Sequence, residues 1–295
     1  MITPPSEARV PVMDRGFLYG DSIYEVFRTY DGVPLFYDEH WHRLENSAAL
    51  IHMAIGFSRA EVHRQIRAAI HASGAPALKR DAFVRFIITR GDGELDLLPS
   101  ASARNRLVVI VKEVPKWRPE LYSLGISVAV VGTRRNPRHA LDPNIKGGNY
   151  LNNVLGVIEA KAAGAEDCLM LNDTGLITEA SNSNVFFVID HTLVTPSQTA
   201  TNLRGLTKAA IHEACRGHSL PSLETEISSA DAQRATECFL TSATREVMPV
   251  YTLMLEDGAV RTFPEGGGDI TRQVKGYYRE YVNAYVRSHA GLSMF

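Results

Sequence analysis

Residues 144–187, NIKGGNYLNNVLGVIEAKAAGAEDCLMLNDTGLITEASNSNVFF, hold the reading that decides the fold. They open on one lysine, two glycines and a tyrosine, then run through an amphipathic repeat at helical spacing over 149–163. Strand-like arms follow at 167–171, 176–178 and 184–189, the first two joined by a turn at 172–175, and Glu179 is the lone acid just beyond the second arm. A helix followed by hairpins, with few strand–helix–strand crossovers, predicts an α+β unit and excludes a doubly wound parallel sheet.

Working outward, 125–131 reads as a strand followed by the polar loop TRRNPRHALDPN. Downstream, 203–217 reads as a helix, 238–241 and 247–255 as strands, and 268–288 as a closing helix. Near the start, 23–30 is rich in β-branched and aromatic residues, and Asp31-Gly32 turns it onto 33–37. Asp38 is the expected N-cap of a helix that carries Trp41, Leu44, Ala48 and Ile51 on one face, with Arg43 in its middle. Ser58 and Glu61 form a capping-box pattern for a helix over 58–71. Strands are expected at 82–89 and 106–111, the second nearly all apolar and therefore expected in the centre of its sheet. The composition changes at KEVPKWRPE. The expectation is two α+β domains, 1–118 and 119–295, with an interdomain loop near 133–145 and a site in the cleft between them.

The chain has 295 residues and a formal net charge of -2, which gives no basic field for nucleic acid. Any anionic ligand must be met by individually placed cations. No apolar run is long enough to cross a bilayer and the first residues lack a leader pattern, so a cytoplasmic location is expected. Cys168, Cys215 and Cys238 have no CxxC spacing and read as buried thiols of a reducing compartment. No metal is expected, because His40 and His42 are two apart on a helix and no HExxH or cysteine cluster occurs.

Lys146 precedes Gly147-Gly148, whose backbone admits a bulky ligand at close range; taken alone, the lysine also reads as a solvated side chain in a glycine loop. Glu179 sits among small and apolar residues, where it suits a protonated pyridine nitrogen as well as it suits an exposed strand edge. For a phosphate, Gly205 with the amides of Leu206 and Thr207 opens a helix N-terminus, the TSAT turn at 241–244 offers a second nest, and Arg43 can supply a fork. Each of these also has a purely structural explanation. Together, a lysine, a tyrosine, a carboxylate and a phosphate nest are what pyridoxal 5'-phosphate requires.

The ordered set DRGFLYGDSIYEVFRTYDG (14–32), EHWHRL (39–44), KGGNYLNN (146–153), LNDTGLITEASNSNVF (171–186), LRGLTK (203–208) and FLTSATREVMPV (239–250) resembles the class IV aminotransferases, the fold type IV pyridoxal phosphate enzymes. That family includes branched-chain and D-amino acid aminotransferases and aminodeoxychorismate lyases. The resemblance implies that Lys146 bonds the cofactor and moves the substrate proton. It implies that Tyr150 hydrogen-bonds the ring hydroxyl, that Glu179 partners the pyridine nitrogen, and that Arg43 binds the phosphate beside the amides of Leu206 and Thr207. Ping-pong transfer between an amino acid and a 2-keto acid would follow, in a homodimer.

Substrate choice is less legible. Phe83 stands where branched-chain enzymes carry a carboxylate-binding tyrosine, although the backbone amides of Ala243 and Thr244 remain. Thr89-Arg90-Gly91 matches the D-enzymes' triplet, but Leu95 and Asp96 stand where their arginine and histidine would fall. Arg28 and Arg90 are the expected replacements as carboxylate binders, with pairing to carboxylates such as Glu25 or Asp92 as the competing role. The first motif leans toward D-amino acid enzymes and KGGNYLNN toward branched-chain ones; D-amino acid transamination is the reading favoured, with branched-chain L-amino acids, R-amines and a lyase reaction as alternatives.

Overall fold

In the computed structural model, which describes residues 2–295, chain contacts separate two units. The first comprises the residues up to Pro115 together with Ile145–Asn149 and Tyr285–Phe295; the second comprises Lys116–Asn144 and Tyr150–Ala284. The first unit therefore takes in a five-residue segment and the C-terminus, which chain order does not reveal.

In the first unit the order is α1 (Arg15–Tyr19), β1 (Ser22–Tyr30), β2 (Val33–Pro34), α2 (Tyr37–Leu50), α3 (Arg59–Ala72), β3 (Ala82–Thr89) and β4 (Arg106–Glu113). The strands form one antiparallel sheet ordered β2-β1-β3-β4. Its helix-facing side alternates with period two: Ile23 and Phe27 of β1 join Val84, Phe86 and Ile88 of β3, all fully buried, against Leu44 of α2 and Val62, Ile66 and Ile70 of α3. Each such side chain contributes about 1.5–3 kcal/mol on burial.

Two expectations fail here. Asp38 does not cap α2; the N-cap is Phe36, in the left-handed region at φ 55°, and Asp38 lies within the first helical turn, where its charge still suits the helix dipole. The apolar strand β4 is at the sheet edge, last in the strand order; its inward residues Leu107, Val109 and Val111 pack on the core while Val108 and Ile110 continue the opposite face. By contrast, α3 begins with the reciprocal Ser58–Glu61 capping box that its sequence pattern predicts.

The second unit contains α4 (Glu120–Ser123), β5 (Ile126–Val130), α5 (Leu151–Ala162), β6 (Asp167–Leu171), β7 (Ile177–Ala180), β8 (Asn184–Ile189), β9 (Thr192–Pro196), α6 (Leu206–Gly217), β10 (Ser222–Thr225), α7 (Ser229–Arg234), β11 (Glu237–Ser242), β12 (Glu246–Met254) and β13 (Val260–Thr262). The helix α8 (Asp269–Ser288) begins here, and its last turn belongs to the first unit. The path β10-β9-β8-β11-β12-β5-β6-β7 is mixed: β10/β9, β12/β5 and β5/β6 are parallel and the other neighbours are antiparallel. At its centre Phe186 of β8 stacks on Phe239 of β11 at 5.0 Å. Glu237 accepts from the amides of Ile270 and Thr271 at 3.1 and 2.7 Å, so a carboxylate closes the N-terminus of α8. Among the described residues no helix is long and apolar enough to cross a membrane. The three cysteines are buried and unpaired, and burial pushes the thiols up, to about 12 at Cys168 and about 11 at Cys215.

Candidate active site

Lys146 is held by its backbone. Its N–H donates to Ser47 Oγ at 3.1 Å and its carbonyl accepts from Tyr24 N at 2.8 Å. Gly147 bridges Ile23, and Gly148 N donates to Ser22 O at 3.0 Å. A Cβ on Gly147 would come within 2.9 Å of Ser22 O, and one on Gly148 within 2.5 Å of Ser22 Oγ. The two glycines thus allow the lysine loop to lie on β1, whereas the sequence suggested that they make room for a ligand. The lysine ammonium is 3.5 Å from Tyr24 Oη and 4.6 Å from the centre of that ring, and no carboxylate pairs with it among the described residues. An amine outside an ion pair keeps its nitrogen open to a ligand carbonyl.

Arg43 projects from α2 onto Glu25. Its Nε and Nη2 donate to the two carboxylate oxygens, each at 2.7 Å, and His40 Nδ1 lies 2.6 Å from Glu25 Oε2. Burial alone would raise the Glu25 carboxyl, but Arg43 and His40 outweigh it and hold it down at about 2. Burial also lowers His40, only partly opposed by Glu25, and its Nδ1–H donates to the carboxylate, which can only accept.

The opposite face of the same sheet carries Tyr24, Val26 and Arg28 of β1 beside Ile87, Arg85 and Phe83 of β3, in register. The Arg85 guanidinium lies over the Tyr24 ring at 4.0 Å, and its Nε is buried without a hydrogen-bond partner among the described residues. Arg28 lies over Tyr30 at 4.1 Å. Arg90 belongs elsewhere: Nε donates to Asp21 Oδ2 at 2.7 Å, Nη1 to His52 O at 3.1 Å and Nη2 to Ile51 O at 2.8 Å. Those three bonds make it a brace between β3 and the end of α2, because its strand ends where α2 leaves carbonyls to satisfy. The carboxylate that Arg90 meets is Asp21, which the sequence reading did not name.

In the second unit Glu179 on β7 is 6% exposed and accepts one hydrogen bond on each oxygen. Oε1 accepts from Arg135 Nε at 2.8 Å and Oε2 from Leu203 N at 3.1 Å. Leu203 begins the LRGLTK turn, so the acid and the helix N-terminus of α6 are locked together. Asn144 Oδ1 accepts from Arg204 N at 3.2 Å, and Asn184 Nδ2 donates to Leu203 O at 3.0 Å. Tyr150 occupies the N-cap of α5, and Ala243 and Thr244 lie in the turn between β11 and β12.

This second-unit set fits a phosphate and a pyridine ring. The N-cap of α6 is Gly205, which supplies no side-chain acceptor to the first-turn amides that include those of Leu206 and Thr207. A Cβ there would fall 1.8 Å from Asn184 Oδ1, so the close packing demands glycine. Thr241, paired with Asn184 across the sheet, has a buried hydroxyl without a hydrogen-bond partner among the described residues. Backbone amides, an orphaned hydroxyl and a carboxylate aimed by two donors are the donor and acceptor set of pyridoxal phosphate, which when bound supplies the electron sink for transamination. Tyr24, Glu25, Ser47, Arg85 and Arg135 complete the two residue groups; Tyr24 and Glu25 lie inside the 14–32 motif, which does not single them out for the site, and the other three carry no local sequence signature.

Comparison with known proteins agrees. The class IV aminotransferase family model matches residues 22–253. A D-alanine aminotransferase of Bacillus licheniformis is 30% identical over 271 residues, covering 92% of this chain and 90% of the relative. The branched-chain amino acid aminotransferase structure of Escherichia coli superposes with a TM-score of 0.84 at 26% identity, covering 92% of this chain and 89% of that one. A T.th. branched-chain amino acid aminotransferase complexed with N-(5'-phosphopyridoxyl)-L-glutamate superposes with a TM-score of 0.83 at 25% identity, covering 98% and 94% of the two chains. The chain belongs to the class IV aminotransferases and is a pyridoxal 5'-phosphate-dependent enzyme of fold type IV.

Proposed function

We propose that this aminotransferase moves an amino group between an α-amino acid and a 2-keto acid by a ping-pong mechanism, with D-amino acids as its preferred donors. The observation that carries the amino-acid reading is the cationic, aromatic sheet face next to the lysine: Tyr24 beneath the Lys146 ammonium, Arg85 over Tyr24 with a buried unpartnered Nε, and Arg28 further along the strand. Such a face suits a substrate carboxylate, which desolvated cations bind strongly. Lys146 Nζ then holds or moves the proton of the substrate carbon, and Glu179, kept in orientation by Arg135 and Leu203, partners the pyridine nitrogen. The D preference is supported by the 14–32 motif. Branched-chain L-amino acids are the second reading, favoured by the E. coli branched-chain structure and by apolar Val26, Phe83 and Ile87 on that face.

The two readings separate in a half-reaction panel of D- and L-amino acids and R- and S-amines, following loss of the yellow colour of the bound cofactor. D-Alanine and D-glutamate are expected to bleach it; bleaching by L-leucine and L-valine alone would establish the second reading instead.

Arginine variants test the carboxylate contact. Arg85→Ala is expected to raise KM for amino acids about 10- to 100-fold, the equivalent of one charged hydrogen bond of about 1.5–3 kcal/mol, and to leave KM for amines lacking a carboxylate unchanged. Arg90→Ala is expected to lower Tm with little change in KM, because its nitrogens brace β3 to α2. An unchanged amino-acid KM in Arg85→Ala counts against the contact.

The reading includes a homodimer. Leu151, Val154, Leu155 and Ile158 form an exposed apolar stripe along α5, at 46–70% exposure, of the kind that a second copy would cover.

A further inference from the structure

A fully buried carboxylate stands behind the groups expected to touch cofactor and substrate. Glu25 is on the helix-facing side of β1, in register with Phe86, where an unpaired charge would not persist. Both its oxygens are taken by Arg43, Nε and Nη2 at 2.7 Å each, and Oε2 is shared with His40 Nδ1 at 2.6 Å. A guanidinium is a rigid planar fork, so clamping its Nε–Nη2 edge fixes where the opposite edge points.

We propose that Glu25 is the positioning residue of the phosphate grip, holding the Arg43 guanidinium in one orientation with His40 as its second anchor. This rests on the reading of Arg43 as the phosphate ligand.

The surrounding bonds make the same strand and helix the frame for the cofactor-bonding lysine. Tyr24, next to Glu25 on β1, donates its amide to Lys146 O at 2.8 Å. One helical turn beyond Arg43, Ser47 Oγ donates to Arg43 O at 3.0 Å and accepts from Lys146 N at 3.1 Å. Arg43 and Lys146 are thus set relative to each other by one serine and two consecutive strand residues. Replacing a buried ion pair with apolar residues is often neutral or stabilising, so stability alone does not account for a Glu–Arg–His cluster in the core. Glu25 also offsets part of the Arg43 charge, which by itself would weaken attraction for an anion. Fixed direction outweighs that loss, because a bidentate clamp adds geometric specificity to the strength of the contact it aims.

Apoenzyme of the wild type, Glu25→Gln, Arg43→Gln and the double variant is to be titrated with pyridoxal 5'-phosphate and with pyridoxal, which lacks the phosphate, following the visible absorbance of lysine-bound cofactor. Glutamine keeps the shape but turns one oxygen into a donor facing donors on Arg43 and His40. The wild type should prefer the phosphorylated aldehyde. Glu25→Gln should lose on the order of 10- to 100-fold of that preference, entirely from the phosphorylated side. The double variant should lose no more than Arg43→Gln alone, since the two residues act as one unit. Glu25→Asp, which keeps the charge but withdraws the carboxylate by one methylene, should lose part of the preference and serves if the glutamine variant does not fold. Equal weakening of both aldehydes in these Glu25 variants, or an unchanged or increased preference, overturns the proposal. A wild type without preference overturns the reading of Arg43 itself, and the proposal with it.

Discussion

Lys146→Ala is expected to give a folded, colourless protein whose transamination rate is at least about 10³-fold below wild type, since the proposed roles of the lysine are the cofactor's covalent anchor and the mover of the substrate proton. Folding should survive because the bonds that hold this segment are made by its backbone: Lys146 N to Ser47 Oγ, Tyr24 N to Lys146 O, and Gly148 N to Ser22 O. Alanine keeps all of them. The lost ammonium contacts only the Tyr24 ring and hydroxyl among the bonds described, so far-UV circular dichroism and Tm should change little. Single-turnover kinetics with an amino donor, read beside the visible spectrum, make the measurement. A variant that stays yellow and retains a tenth of the rate would remove Lys146 from the role assigned to it.

Glu179→Gln has the second largest expected effect. The carboxylate is bonded on both oxygens, to Arg135 Nε and to Leu203 N. An amide can accept only through its oxygen, so its NH2 group must face one of those donors and one bond is lost. Arg135, whose side chain is 11% exposed, is left without its carboxylate partner. Loss of that partner, with the Asn152 contact at 3.2 Å remaining to its side chain, costs about 1–3 kcal/mol, visible as a lower Tm. The chemical step should slow by about 10²-fold or more, because charge that the cofactor ring accumulates no longer finds a preorganised partner. Arg135→Gln supplies the contrast: it leaves the carboxylate in place and frees its orientation, so a smaller loss in kcat is expected. Stopped-flow half-reactions at saturating cofactor measure both. Equal rates for Glu179→Gln and wild type would assign the carboxylate to holding the LRGLTK turn alone.

The contrast between these residues and their supporters shows how far the sequence could be read. Lys146 and Glu179 announce themselves because a lone lysine before two glycines and a lone acid in a small-residue strand are chemically conspicuous over a few positions. Their partners are distant and ordinary. Ser47 meets Lys146 from 99 residues away, Tyr24 from 122, and Arg135 meets Glu179 from 44. No periodicity encodes such pairings; only the folded sheet brings them together. The same limit acts on the fold. The Ser58–Glu61 box is local and its helix begins where the pattern says, whereas Phe36 at positive φ displaces Asp38 from the cap through the turn that precedes α2. The edge position of β4 depends on strand order, which an apolar run cannot express. Arg90 illustrates a residue with two sequence readings, substrate carboxylate or structural pairing: here it ends a strand and donates to Asp21 and to helix-end carbonyls.

The alternation along β3 bears on how this enzyme can change over evolutionary time. Val84, Phe86 and Ile88 are fully buried against the helices, while Phe83, Arg85 and Ile87 between them are half-buried on the face that β1 shares with Tyr24. If that face takes the substrate as proposed, structural necessity and chemical choice occupy alternate positions of a single strand. Drift at the odd-numbered positions can re-specialise the enzyme without unpicking its core, and the two duties are exposed to separate selection pressures. A phenylalanine at position 83, where the branched-chain enzymes it resembles carry tyrosine, is the kind of change such a division tolerates.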